Sequence, residues 1–187
     1  MNQRTIVRSL TTNDGTLVAM SDGAVSWKPR EGRSTRTQLE GLPTVLLALR
    51  GPMGPVDAAA IGTADGNVVV LTLPRLETVA KFGLNAGSIR ALTLVDEGDL
   101  HFLVGTQHGA VWSAWDGRAE RCIHQFSIEG PVSSLHIEGD RVHVRSGWIH
   151  HVRTLDGSMH DVENTAASYR VKRQKRLSQT YFMPYPA

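Results

Sequence analysis

The chain has 187 residues, of which 41% are apolar and 20% charged, with a formal net charge of +2. That length can bury a core without disulfides or a metal, and so small a net charge gives no whole-molecule field favouring nucleic acid. The single cysteine, Cys122, excludes an internal disulfide framework; in Arg121-Cys122-Ile123 it reads as a buried, small apolar residue of a strand.

Met1-Asn2-Gln3-Arg4 leads straight into a strand-like run, with no apolar signal core. No stretch approaches the ~20 apolar residues of a membrane-spanning helix. The expectation is a cytoplasmic protein with no membrane contact.

Taken in chain order, one small unit recurs. It first reads Met20-Ser21-Asp22-Gly23-Ala24-Val25-Ser26-Trp27, then Thr63-Ala64-Asp65-Gly66-Asn67-Val68-Val69-Val70. A third copy is Thr106-Gln107-His108-Gly109-Ala110-Val111-Trp112, and a weaker fourth is Arg145-Ser146-Gly147-Trp148-Ile149-His150. The marker glycines Gly23, Gly66, Gly109 and Gly147 are 43, 43 and 38 residues apart. An Asp-Gly pair between two β-rich runs signals a tight hairpin, whose positive φ glycine tolerates and aspartate partly tolerates. Asp22-Gly23, Asp65-Gly66, Gly109 and Gly147 are therefore placed at turns between the second and third strands of four repeated units.

The first strand of each unit is the most apolar: Ile6 to Leu10, Val45 to Leu49, Ile89 to Val95 and Val132 to Ile137. Unbroken apolar runs are the pattern of strands covered on both faces, so these are placed innermost, against a central channel. The last strands are more polar: Thr35 to Leu39, Thr78 to Leu84, Arg121 to Ile128 and Met159 to Glu163. No helical period is sustained before residue 164, and turn residues punctuate the chain. The expected fold is all-β: a β-propeller of four four-stranded blades, at about 5–41, 44–84, 89–128 and 131–163, followed by a tail over 164–187. A β-sandwich or another barrel is the alternative, but a sandwich does not require a fixed long period.

Gly62 to Val95 resembles one WD-repeat unit. Gly62-Thr63-Ala64-Asp65-Gly66-Asn67-Val68-Val69-Val70 matches the middle of that repeat, and Lys81 to Leu92 resembles the passage into the next blade. Trp115-Asp116 resembles the dipeptide that ends the repeat, and Trp27 sits similarly in the first copy. Repeats of this family span ~40–45 residues per blade. The resemblance covers roughly residues 5–163, and it implies a rigid platform for protein assembly.

Four blades fit two arrangements: one chain closing a four-bladed ring, or two chains forming one eight-bladed ring. An open half-ring would expose apolar blade faces, which a two-fold partner would cover. A homodimer is the expected arrangement.

The densest histidine set is His150-His151 with His160, and His143 lies near it. Neighbours on a strand point to opposite faces, so His150 and His151 do not readily share an ion, and solvent-facing positions are the expectation. No metal site and no cofactor is expected. No nucleophile elbow, phosphate loop or dinucleotide fingerprint occurs. Gly51-Pro52-Met53-Gly54-Pro55 reads as a rigid loop, since its prolines remove backbone donors. The chain is expected not to be an enzyme; one with a channel site is the third possibility.

The tail breaks the β pattern. Between Tyr169 and Arg176 five of eight residues are cationic, namely Arg170, Lys172, Arg173, Lys175 and Arg176. Tyr181, Phe182 and Tyr185 follow among prolines. Three readings stand: a strap onto its own ring or a partner subunit, a linear motif docking on another protein, or a nucleic-acid contact made by the basic run with aromatics stacking on bases. The leading expectation is a non-catalytic scaffold that binds other proteins, with the tail as docking element; a nucleic-acid-associated factor is the alternative.

Overall fold

Short runs of β-formers between turn residues fold here as sixteen strands in a computed structural model that describes residues 4–50, 56–96, 100–116, 121–154 and 159–164, the last six and Asp96 by backbone alone. The strands form four antiparallel sheets of four, each built from consecutive strands. Blade 1 comprises β1 (Ile6–Thr11), β2 (Gly15–Met20), β3 (Ala24–Pro29) and β4 (Thr35–Gln38). Blade 2 comprises β5 (Pro43–Arg50), β6 (Val56–Thr63), β7 (Asn67–Thr72) and β8 (Thr78–Gly83). Blade 3 comprises β9 (Ile89–Asp96), β10 (His101–Thr106), β11 (Ala110–Trp115) and β12 (Cys122–Ser127). Blade 4 comprises β13 (Ser134–Glu138), β14 (Arg141–Ser146), β15 (Ile149–Thr154) and β16 (Met159–Asn164).

The first strands line up side by side: β1 meets β5, β5 meets β9 and β9 meets β13. Among the described residues no comparable contact returns from β13 to β1. The architecture is an all-β, propeller-like arc of four blades.

Three apolar seams hold the arc together, and strand alternation builds them. In blade 2, Ala59, Ile61, Val69 and Leu71 pack with Leu17, Ala19, Val25 and Trp27 of blade 1. Their neighbours Ala60, Val68 and Val70, with Phe82, point the other way and pack with Ile89, Phe102 and Val104 of blade 3. Val142 and Val144 of blade 4 pack with Leu103 and Val111 of blade 3. A middle blade is thus covered on both faces, which explains its unbroken run Val68-Val69-Val70-Leu71.

Two expectations are corrected. The first strands are not the most buried. β2, β6, β7 and β10 carry most of the fully buried positions, whereas β5 is mostly half-buried, β9 is buried at Ile89, Ala91 and Leu92 only, and β1 and β13 are largely exposed. The second and third strands have a strand on each side within the sheet, and the first strand has one free edge on the open side of the arc. The end flanks also differ from the apolar faces expected of an open half-ring. In β14, Arg141, His143 and Arg145 alternate with the buried Val142 and Val144, so blade 4 presents a polar flank outward. On blade 1 the outward flank is mixed: Ile6, paired across the sheet with Met20, is 61% exposed, and Ser9 pairs with Val18.

Candidate interaction surfaces

The four repeat turns share one rim. Gly23, Gly66, Gly109 and Gly147 all have positive φ, between 57° and 85°, and each lies between the second and third strands of its blade. A backbone pattern repeats with them. The carbonyls of Gly23, Gly66 and Gly109 accept the amide N–H of Leu39, Leu84 and Ile128, tying each outermost strand back to its turn. The links between blades reach the same rim: Gly41 lies against the Asp65 carboxylate, Gly87 against His108, and Gly130 against Ser146.

Side chains stiffen these turns. Asp22 Oδ1 accepts the Ala24 N–H at 3.1 Å, and Asp22 Oδ2 lies 2.7 Å from Arg4 Nε and 3.6 Å from Arg36 Nη2. That amide above all, and then the two guanidinium groups, hold the Asp22 carboxyl below its ordinary range. The Thr63 hydroxyl, and then Asn67, whose side-chain amide donates to Asp65 at 2.6 Å, lower Asp65 in the same way, with a smaller contribution from Lys81. Lys81 also pairs with Glu40 across the seam between blades 1 and 2. Beside that pair lies an open groove of about 250 Å³, lined by Gln38, Glu40, Thr63, Asn67 and Lys81. A second hollow of about 470 Å³, at the far end of the same two blades, is lined by Thr12, Asp14, Arg30, Arg50 and Val56.

The outward flank of blade 4 is chemically distinct. Antiparallel register sets His136 of β13 directly opposite His143 of β14, with ring centroids 6.2 Å apart. His150 of β15 is diagonal to His143; the ring centroids lie 5.1 Å apart, and His143 Nδ1 and His150 Nε2 share a hydrogen bond at 3.1 Å. Glu138 lies 3.6 Å from His143 Nε2. Arg141 and Arg145 flank the row on β14. His151 faces the opposite way, toward blade 3. It is 8% exposed, not solvent-facing, and neither of its ring nitrogens has a hydrogen-bond partner among the described residues. Trp148, in the fourth turn, is 86% exposed, and Ile149 beside it is 38% exposed.

Cys122 is half-buried against the seam between blades 2 and 3, and burial pushes its thiol above the ordinary value, which suits a packing role. The tail residues Tyr169, Arg170, Lys172, Arg173, Lys175, Arg176, Tyr181, Phe182 and Tyr185 lie outside the described residues, as does the Gly51–Pro55 loop. Among the described residues, no helix is long and apolar enough to cross a membrane.

Neither a protein-family model nor a curated protein matches the chain. Solved structures do share its fold. The computationally designed Ika8 protein aligns with a TM-score of 0.65 at 16% identity, over 83% of this chain and 48% of that one. The designed Ika4 protein aligns at 0.63 and 14%, over 88% and 93%. A chain of the Mitotic Checkpoint Complex aligns at 0.66 and 12%, over 89% and 54%. The chain therefore spans about half of the Ika8 and checkpoint chains and nearly all of the Ika4 chain. These likenesses show the fold.

Sequence reading missed the His136–His143 pairing, because strand register decides it and spacing alone does not. One signal was present: Arg141-Val142-His143-Val144-Arg145 alternates strictly, the pattern of a strand with one open face.

Proposed function

We propose that this chain is a non-catalytic interaction scaffold of the WD-repeat-like kind, and that two copies complete one eight-bladed ring. The observation that carries this reading is the open arc: three seams repeat, and β13 does not return to β1. On the blade 1 flank, Ile6, 61% exposed and set beside Met20, offers apolar surface for a neighbouring blade. The alignments with Ika8 and the checkpoint chain support the arrangement, since in both the arc corresponds to about half of a longer chain. In the ring, the flank of blade 4 of each copy faces the flank of blade 1 of the other.

Such a ring leaves the turn rim and the exposed Trp148 available to other proteins, and exposed tryptophan is a common binding anchor. The tail, with aromatics set among prolines, serves as a docking element. A cytoplasmic location belongs to this reading, and fractionation of tagged protein tests it. Affinity purification of the full chain beside a truncation ending at Glu163 tests the scaffold role. Partners retained by the full chain and lost on truncation assign recruitment to the tail; no retained partner in either preparation contradicts a scaffold.

A nucleic-acid role is the second reading, favoured by the five cations between Tyr169 and Arg176. Binding of that kind falls steeply with salt and is lost with the tail.

A further inference from the structure

We propose that the histidine row on the outward flank of blade 4 is a binding site for a borderline transition-metal cation, with Zn2+, Ni2+ or Cu2+ held between His143 and His150. The proposal stands on the geometry of one chain; in the proposed ring this flank meets blade 1 of the other copy, so the ion lies at that junction.

His143 Nδ1 and His150 Nε2 face each other at 3.1 Å. Two imidazole nitrogens bound ~2.0–2.1 Å from a tetrahedral ion lie about 3.3–3.4 Å apart. The two nitrogens are thus within a few tenths of an ångström of the separation of a metal-bound pair; an ion that replaces the shared hydrogen lies off the line joining them, which the rings reach by tilting about their side-chain bonds. Imidazole is a preferred ligand of these cations.

The far side of His143 is also arranged for this. A metal-bound imidazole donates its other ring N–H to a carboxylate or carbonyl, which fixes the tautomer and raises its basicity. His143 Nε2 is buried, makes no hydrogen bond, and has the Glu138 carboxylate 3.6 Å away. With the ion on Nδ1, the proton belongs on Nε2, where Glu138 can accept it. The strand alternation that separates His150 from His151 places His150 on the side of His143 and His136. His136, opposite His143, stands next to the pair.

Among the described residues no three His, Cys, Asp or Glu side chains converge on one point. The described residues thus supply two ligands, and the remaining positions are filled by solvent or by a further ligand. Arg141 and Arg145 on the same face oppose the charge of the ion. Both features set a weaker affinity than that of a closed structural site.

Calorimetric titration of EDTA-treated, desalted full-length protein with ZnCl2 near neutral pH tests this. One Zn2+ per chain is expected. H143Q and H150Q should each weaken binding by about tenfold or more, and H108Q and H124Q should leave it unchanged. E138Q keeps both ligands and should still weaken binding by about tenfold, the scale of lost outer partners. Absence of binding by the unaltered chain, or binding that survives in the H143Q/H150Q double variant, overturns the proposal.

Discussion

Val132 fills the space that a side chain at Gly105 would need: a Cβ on Gly105 would lie 2.3 Å from Val132 Cγ1. The same relationship occurs 43 residues earlier, where a Cβ on Gly62 would lie 2.5 Å from Ile89 Cγ2. In both places the second strand of one blade gives up its side chain so that the residue opening the next blade can press against its backbone. Blade spacing is set at these contacts. The backbone of neither glycine requires positive φ, so the constraint is one of space alone.

Gly105→Ala should therefore loosen the seam between blades 3 and 4, at a cost of about 1–3 kcal/mol, the usual range for overpacking. Gly83→Ala meets only the Asn67 side chain, at 3.3 Å, and should cost far less. Urea denaturation of the two variants beside the parent chain checks the contrast.

The repeat turns make a second demand. Gly109 has φ +84°, and a Cβ there would lie 2.1 Å from the Ile128 carbonyl oxygen. Gly109→Ala combines left-handed strain with a backbone clash, and should cost more than Gly105→Ala, where Val132 has a side chain that can move. Thermal melts of both variants rank the two.

The seam between blades 2 and 3 depends on one ring pair. Phe82, 1% exposed, meets Phe102 edge to face with centroids 6.0 Å apart, and the Arg121 guanidinium lies 4.8 Å from the Phe82 ring centre. Phe82→Ala should destabilise by about 3–5 kcal/mol. Arg121→Ala removes one half-exposed cover of that ring and a surface pair with Asp116, and should cost a small part of this. Denaturant midpoints separate the two effects.

Acid should weaken the seam between blades 3 and 4. Burial, and then the charges of Arg153 and His150, hold His151 below its ordinary 6.5. In the unfolded chain this imidazole takes up a proton as pH falls through about 6.5, while the folded one stays neutral. The unfolded state then binds more protons, so stability declines as pH drops below about 6.5, down to the lowered folded pKa, and recovers above it. His151→Leu should flatten this dependence. Urea midpoints at pH 7.5 and pH 5.5 for parent and variant should differ less in the variant.

Much of the arc was legible because its signals are local. The Asp-Gly and Gly turns recur at steps of 43, 43 and 38 residues and mark where second strands end, and the polar last strands Thr35–Gln38 and Thr78–Gly83 stand at or within one residue of their sequence-based ranges. What escaped depends on long-range pairing. Apolar first strands read as fully covered, yet coverage depends on how many blades surround the axis. The histidine row needs the register of β13, β14 and β15, and in the linear sequence His150 and His151 look alike although one faces out and the other lies buried. The glycines at 62 and 105 read as ordinary strand residues until the neighbouring blade is in place.

Ring completion by a second copy is tested most directly by light scattering coupled to size exclusion, on the full chain at micromolar concentration. A mass twice that of the 20.4 kDa chain is expected. Ile6→Arg, which puts a charge on the blade 1 flank, should lower that mass toward a single chain. A mass of 20.4 kDa for the unaltered chain contradicts the paired ring.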